Sequence, residues 1–362
     1  MRNPFKPTAG ARPPLLVGRT DALEGFREGL EDGSGSPGLL TIFTGPRGIG
    51  KTVMLSAAED LAREHGWIVI SETATRGLMV RLAEAMIAHR DELGDGPPNR
   101  RITAFIAAGF GLTTELPPEH QVAWRELATD LLRVLDTHAT GLLITIDEIH
   151  AVDRGDLLEL AAVIQHLIRE DLPISLLMAG IPKAVSDLLN EDVSTFLRRA
   201  DRIDLGDVLL SDVRAALART FIDTGISLTD TQLTRAAAAT EGYPFLIQLV
   251  GHQVWRRAVD GALTDEAVDA GIVAARNRLG TTVLQASLAD LSDVDRAFLA
   301  KMAGNDGPVA LALIADQLGR TKKYAGVYRR RLIDAGVIVD AGWGLIDFAV
   351  PHLRAYLRAK NE

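Results

Sequence analysis

Gly45-Pro46-Arg47-Gly48-Ile49-Gly50-Lys51-Thr52 lies between a short apolar, β-branched run at 39–44 and a helix-forming stretch at 53–65. The octapeptide satisfies G-x-x-x-x-G-K-[ST] at every fixed position, and strand, glycine loop, helix is the context in which that pattern binds phosphate. The glycines let main-chain N–H groups turn inward around phosphate oxygens, and the helix start adds the positive end of its dipole. Lys51 can reach β and γ phosphates, Thr52 offers a hydroxyl to Mg²⁺, and Val53 opens the helix beneath them. Gly45 to Val53 are therefore the candidate phosphate contacts.

Working outward, the run at 142–146 ends in Asp147 and Glu148. A parallel sheet delivers such a strand end to the same edge as the phosphate loop. Asp147 is then the candidate metal carboxylate, beside Thr52, and Glu148 is placed to polarise an attacking water. His150 reads as a surface or supporting residue. Further apolar runs at 67–71 and 174–179 alternate with helical stretches at 77–93, 121–137 and 155–170. Continuous apolar strands separated by helices predict an α/β fold, a parallel sheet with helices on both faces. Residues 31–38 read as a flexible loop, and 100–115 as a strand or hairpin packing locally.

From residue 211 onward only helices are predicted, at 212–224, 230–240, 244–259 and 265–279. Thr229 with Gln232 forms a capping-box pattern, and Pro244 is a first-turn proline. The last eighty residues give a helix capped by Ser292, a second helix near 310–318, a third from Lys322, and a hairpin around Ala341-Gly342-Trp343-Gly344. That is winged-helix order. The expected division is a phosphate-binding α/β domain at 1–207, a helical domain at 208–282 and a winged helix at 283–362.

Composition bounds the chemistry. The 362 residues include no cysteine, which excludes disulfides, thiolate metal sites and a cysteine nucleophile, and suits a reducing cytoplasm. Eight scattered histidines make no metal site. No apolar run approaches about 18 residues, so no membrane partner is expected. The net charge of −9 is uneven: residues 283–362 hold 11 Lys and Arg against 9 Asp and Glu, so nucleic-acid contact, where it exists, belongs to that part. The Asn-Lys-x-Asp pattern of guanine-specific sites is absent, which favours ATP.

With these motifs in place the chain resembles P-loop ATPases of the AAA+ type, in the origin-recognition and signal-transducing (STAND) branch, above all bacterial and archaeal ATP-binding proteins that end in a winged helix. Leu15-Leu16-Val17-Gly18-Arg19-Thr20-Asp21 resembles the box such families place against adenine, which implies base-side roles for Val17, Gly18 and Arg19. Gly242-Tyr243-Pro244 resembles their G-x-P signature near the phosphates, implying that Tyr243 and Pro244 approach the nucleotide; the same tripeptide also reads simply as a proline-started helix. Residues 196–202, Phe-Leu-Arg-Arg-Ala-Asp-Arg, resemble the segment that supplies an arginine to a neighbouring subunit's nucleotide. Arg198 or Arg199 would act there, and pairing with Asp201 on a charged surface is the alternative. Two departures imply slow hydrolysis: residues 241–248 carry no arginine for the γ-phosphate, and the strand at 174–179 ends in Gly180-Ile181-Pro182 without a polar residue to orient water.

Placing 322–335 on one helix sets Lys322, Lys323, Arg329 and Arg330 within an arc of about 120°, with Tyr324, Val327, Tyr328, Leu332 and Ala335 opposite. Arg331 falls among the apolar positions, where an acidic partner or a snorkelling pose is expected. The basic face suits a DNA major groove, and Trp343 on the wing suits the adjacent backbone. The sequence therefore predicts a slow ATPase, binding ATP/ADP with Mg²⁺, that couples nucleotide state to double-stranded DNA. The alternative is a nucleotide-controlled signalling ATPase whose winged helix contacts protein, through self-association or a partner.

Overall fold

The computed structural model describes residues 2–8, 10–93, 118–151, 154–190, 196–289 and 291–361, and not the side chains of 118–123, 154, 286, 287 and 361. The segment 100–115, read as a strand or hairpin, lies outside the described residues. Strands β1 (Leu40–Thr44), β2 (Ile68–Thr73), β3 (Leu142–Asp147), β4 (Ile174–Gly180) and β5 (Asp201–Asp204) form one parallel sheet in the order β2-β3-β4-β1-β5. β3 and β4 are the most apolar strands and lie inside the sheet, so their runs need no inside-outside alternation. β5 was not anticipated. Its sequence, Asp-Arg-Ile-Asp, is mostly exposed and sits at an edge, where charged residues discourage pairing with another chain.

Helices α1 (Asp21–Asp32), α2 (Lys51–Glu64), α3 (Leu78–Glu92), α4 (Pro118–Thr137), α5 (Arg154–Arg169) and α6 (Pro182–Leu189) surround this sheet. The core against β2, β3 and β4 is built from Leu78, Leu82 and Met86 of α3, Trp124 and Leu131 of α4, and Leu160 and Ile164 of α5. The loop at 31–38 is tighter than its composition suggests. Gly38, at φ +84°, presses so closely on the Gly25 carbonyl that any side chain there would collide.

α7 (Leu210–Asp223), α8 (Asp230–Ala238), α9 (Pro244–Trp255) and α10 (Asp265–Leu279) form the helical unit, with the capping box at Thr229 and Gln232 present. α10 runs on through a π-turn at Gly280–Leu284 into α11 (Gln285–Ala289). The C-terminal unit follows as α12 (Asp293–Ala303), β6 (Val309–Ala310), α13 (Leu311–Gln317), α14 (Lys322–Asp334), β7 (Ile338–Asp340), β8 (Leu345–Phe348) and α15 (Leu353–Asn361). Its small antiparallel sheet has the order β6-β8-β7. α15 was not foreseen; its Arg354 and Arg358 reach back to the carbonyls at the end of α12 and the turn after it.

On α14 the apolar face is narrower than a helical wheel suggests. Ala325 and Leu332 are buried and Tyr324 stacks on Tyr328 with ring centroids 4.9 Å apart, but Val327, expected in the core, is 62% exposed. Arg331 has the acidic partner its position called for: its guanidinium lies 3.1 Å from Asp295, a carboxylate with no solvent exposure that also completes the α12 cap with Ser292. Arg331→Ala leaves that buried carboxylate without its counter-ion and is expected to lower stability by about 1–3 kcal/mol, while exposed Lys322→Ala changes it by less than about 0.5 kcal/mol. Chemical denaturation of the two variants measures the difference, and equal effects would mean the pair does not stabilise the unit.

Candidate functional site

Because all five strands run the same way, the loop after β1 and the carboxylates ending β3 meet at one edge, although β4 lies between them. Gly45, Gly48 and Gly50 adopt φ of +151°, +75° and +98°, conformations open to glycine, so the loop curls back over its own amides. Gly50 ends the loop and α2 starts at Lys51, with its N-terminal amides aimed at the loop interior. Lys51 Nζ donates to the carbonyls of Gly45 at 2.9 Å and Pro46 at 2.8 Å. The Thr52 hydroxyl donates to Asp147 Oδ2 at 2.6 Å.

These groups line one cavity of about 520 Å³. Its phosphate-side wall comprises Arg47, Gly48, Ile49, Gly50, Lys51, Thr52 and Val53, facing Asp147, Glu148 and His150. Burial pushes the Lys51 ammonium down to about 8, against the pull of Asp147 and Glu148, which raise it. A buried cation is costly without an anion, so the cavity is electrostatically prepared for phosphate. Glu148 is exposed to the cavity and holds a left-handed φ of +54°; its own N–H donates to Asp147 Oδ1 at 2.8 Å. Together with the bond from Thr52, that bond holds both carboxylate oxygens of Asp147.

Thr52 Oγ1 and Asp147 Oδ2 are hard oxygen donors, the donor type that Mg²⁺ takes. Among the described residues no group of three or more His, Cys, Asp and Glu forms a complete ion cage. The pair therefore fits a cation that draws its remaining ligands from phosphate and water, as Mg²⁺ commonly does.

The helical unit closes the site from the other side. The Tyr243 hydroxyl donates to the Arg47 carbonyl at 2.7 Å and occupies the notch over Gly48, where any side chain would strike it. Burial pushes the Tyr243 phenol up, so it remains a protonated donor. Pro244 lines the cavity directly, beside Phe245, Ile247 and Gln248 of the same helix. Gly242, at φ +78°, accepts from the Val208 N–H at 2.8 Å, which fixes the tripeptide against the chain leaving β5.

Of the residues expected on the base side, Val17 and Arg19 line the cavity, and Arg19 also bonds the Gly206 carbonyl. Gly18 instead faces away, with the space beside it filled by Val208 and Asp212. Gly45 and Pro46 enter through their carbonyls on Lys51. Arg198 and Arg199 are elsewhere: they precede β5, whose first residue pairs with Thr41, so they stand at the opposite end of the sheet from the loop after Thr44. The geometry keeps both away from this chain's own phosphate site. Among the lining residues that sequence reasoning missed are Lys6, Thr8, Leu15, Leu16, Gln248, Thr282 and Val283. Leu15 and Leu16, inside the quoted base-side box, were the ones with a signal.

The C-terminal unit also touches this region. The Cβ position of Gly336, just after α14, lies 3.6 Å from the Cα of Pro46, and Lys183 of α6 pairs with Asp334 at 3.5 Å. On its far side, His352 Nε2 lies 3.3 Å from Glu241 Oε1, next to the tripeptide that grips the phosphate loop. Lys322, Lys323, Arg330 and the fully exposed Trp343 face solvent, and Lys322, Lys323 and Arg330 form no ion pair with any described residue. Arg329 is ion-paired to Asp340 on β7.

Residues 15–178 match the AAA ATPase domain family, and residues 281–357 match a domain of unknown function (DUF8462). No curated protein matches the chain. Among solved structures, the Walker-type ATPase paby2304 of Pyrococcus abyssi is similar over 95% of this chain and 96% of its own, with a TM-score of 0.67 at 16% identity. The Aeropyrum pernix ORC2 protein, solved in ADPNP–ADP complexes, is similar over 98% of both chains, with a TM-score of 0.64 at 14% identity. The match to the AAA ATPase domain thus covers residues 15–178, and the fold as a whole, from the parallel sheet to the C-terminal region, is shared with these two solved proteins.

The depressed Lys51 gives a proton signature. A phosphate anion restores the charged ammonium, so ATP binding takes up close to no proton at pH 7 and toward one as pH rises past about 8. Titration calorimetry in buffers of different ionisation enthalpy counts that proton; no uptake at pH 9 would contradict the depressed lysine.

Proposed function

We propose that this chain, an AAA-type ATPase by its match over residues 15–178, is a slow nucleotide-driven switch: it binds ATP with Mg²⁺ between the ATPase domain and the helical lid, and couples nucleotide state to DNA through a C-terminal winged helix. The observation that carries it is the meeting of all three units at one loop, with Tyr243 on Arg47 and Gly336 against Pro46. The three-unit reading keeps the division at 1–207, 208–282 and 283–362.

In this reading Lys51 and the loop amides hold the phosphates, and Val17 and Arg19 stand at the base end. Thr52 and Asp147 would hold Mg²⁺, which when bound would offset charge on the phosphates. Glu148, exposed to the cavity, accepts a proton from the attacking water. The γ-phosphate then biases the Tyr243 and Gly336 contacts, and its loss on hydrolysis releases that bias, the general logic of a terminal-phosphate switch. The absence of an arginine in residues 241–248 supports slow turnover. Arg198 or Arg199, remote from its own loop, fits a role toward a neighbouring copy's nucleotide.

The order α12, α13, α14, hairpin supports a winged-helix reading, in which Lys322, Lys323 and Arg330, with Arg329 once it parts from Asp340, meet DNA phosphates and base edges and Trp343 meets the backbone beside them. The alternative, a winged helix that contacts protein, is favoured by one observation: Arg329 is already paired with Asp340. No helix among the described residues is long and apolar enough to cross a membrane.

Two experiments test the reading. Glu148→Gln should keep ATP affinity within about threefold and lower turnover by at least about a hundredfold; unchanged turnover would remove Glu148 as the base. Replacing Lys322, Lys323, Arg329 and Arg330 together with Ala should weaken duplex binding and shallow its salt dependence by close to one unit of log-log slope per lost phosphate contact. Duplex binding unaltered by the quadruple change would move the contact off this helix, and a wild-type chain that never binds duplex would favour the protein-contact alternative.

A further inference from the structure

Residues 2–8 are held by the helical unit. Phe5 is 3% exposed, its ring centroid is 5.2 Å from that of Phe221 on α7, and it fills the space over Gly251 so closely that any Cβ there would collide with the ring. The Asn3 amide donates to the His252 carbonyl at 3.1 Å, and the Lys6 N–H donates to Gln248 Oε1 at 3.1 Å. A few residues later the chain is tied to the other unit: Arg12 pairs with Asp60 on α2 at 2.6 Å. Between these two anchors Lys6, Thr8, Gly10 and Ala11 form part of the cavity wall.

The segment therefore bridges the ATPase domain and the lid across the mouth of the site. It does so away from the phosphate loop, because its anchors are Gln248 and Gly251 on α9 and Asp60, nine residues along α2 from Lys51; Leu16, Val17 and Ile247 line the same cavity. Leu15, Leu16, Val17 and Ile247 give the cavity apolar side chains that suit a flat base, and the exposed Lys6 adds a cation to the lining. We infer that residues 2–8 and 10–13 form a strap that encloses the nucleoside half of ATP, so that the nucleotide leaves only when Phe5 withdraws from α9. The inference rests on the reading that this cavity binds ATP.

The strap can be released without touching the phosphate machinery. Gly251→Ala puts a methyl group where the Phe5 ring lies, and in an α-helix alanine is otherwise the more favourable residue. Lys6→Ala with Thr8→Ala is the second variant: both side chains are exposed, so folding does not depend on them. Affinities for ATP and for inorganic tripolyphosphate, which lacks the nucleoside, are measured in Glu148→Gln protein to prevent turnover, together with the dissociation rate of radiolabelled ATP under an unlabelled chase. The strap predicts at least tenfold faster ATP dissociation in Gly251→Ala, a smaller increase in the double variant, and tripolyphosphate affinity unchanged in both. Unchanged ATP dissociation in both variants overturns it, as does an equal loss of ATP and tripolyphosphate, which would mean general damage to the site. If the unaltered strap binds tripolyphosphate as tightly as ATP, the nucleoside half is not enclosed and the inference falls while the phosphate site stands. If it binds neither, the nucleotide reading itself fails and takes the strap with it.

Discussion

A phenol on one unit holds the main chain of another. The Tyr243 hydroxyl donates to the Arg47 carbonyl over the bare Cα of Gly48, and the loop must be glycine there for the ring to fit. The consequence is mechanical. Reshaping the phosphate loop while α9 stays in place would break this hydrogen bond or push the ring off Gly48, and so would tilting α9 over a fixed loop. Burial keeps the phenol protonated, so the donor is constant across ordinary pH. The contact is one of several by which the helical unit meets the cavity, beside Pro244, Phe245, Ile247 and Gln248 in its wall.

The C-terminal unit adds two further points of attachment. Gly336 abuts Pro46 at the front of the loop, and His352 meets Glu241 immediately before the Gly242-Tyr243-Pro244 tripeptide. Both contacts are small, and the Lys183–Asp334 pair beside the first is partly exposed, so each contributes about 1 kcal/mol or less. Weak attachments suit a switch. A ligand that prefers one arrangement tenfold shifts the balance by about 1.4 kcal/mol, enough to make or break such contacts but not a hydrophobic core.

The placement of the candidate phosphate and metal groups was legible because their residues are consecutive. The octapeptide at 45–52 and the carboxylates closing β3 each occupy one short stretch, and a parallel sheet leaves them a single edge on which to meet. Arg331 was legible for a similar reason, as a cation out of place on an apolar face. What escaped notice depends on distant pairing. The strap is a proline-bearing segment with no periodicity, and its role arises from Phe5 meeting Gly251 far along the chain. β5 carries charges because it is an edge, so it reads as surface. Val327 looks like core on a helical wheel but projects beside the buried face, since only Ala325 and Leu332 are fully enclosed.

The absence of cysteine makes the central claim directly measurable. Glu64→Cys on α2 and Trp343→Cys on the β7–β8 turn, both exposed positions, give one clean pair of spin-label sites in Glu148→Gln protein. Pulsed dipolar spectroscopy then compares the label separation without nucleotide, with ADP and with ATP. The account predicts a distance distribution with ATP that differs from the other two in its mean or in the weights of its components, because the γ-phosphate biases the contacts between the loop and the C-terminal unit. Identical distributions at saturating nucleotide in all three states would contradict it, leaving an ATPase whose C-terminal unit does not sense what it binds.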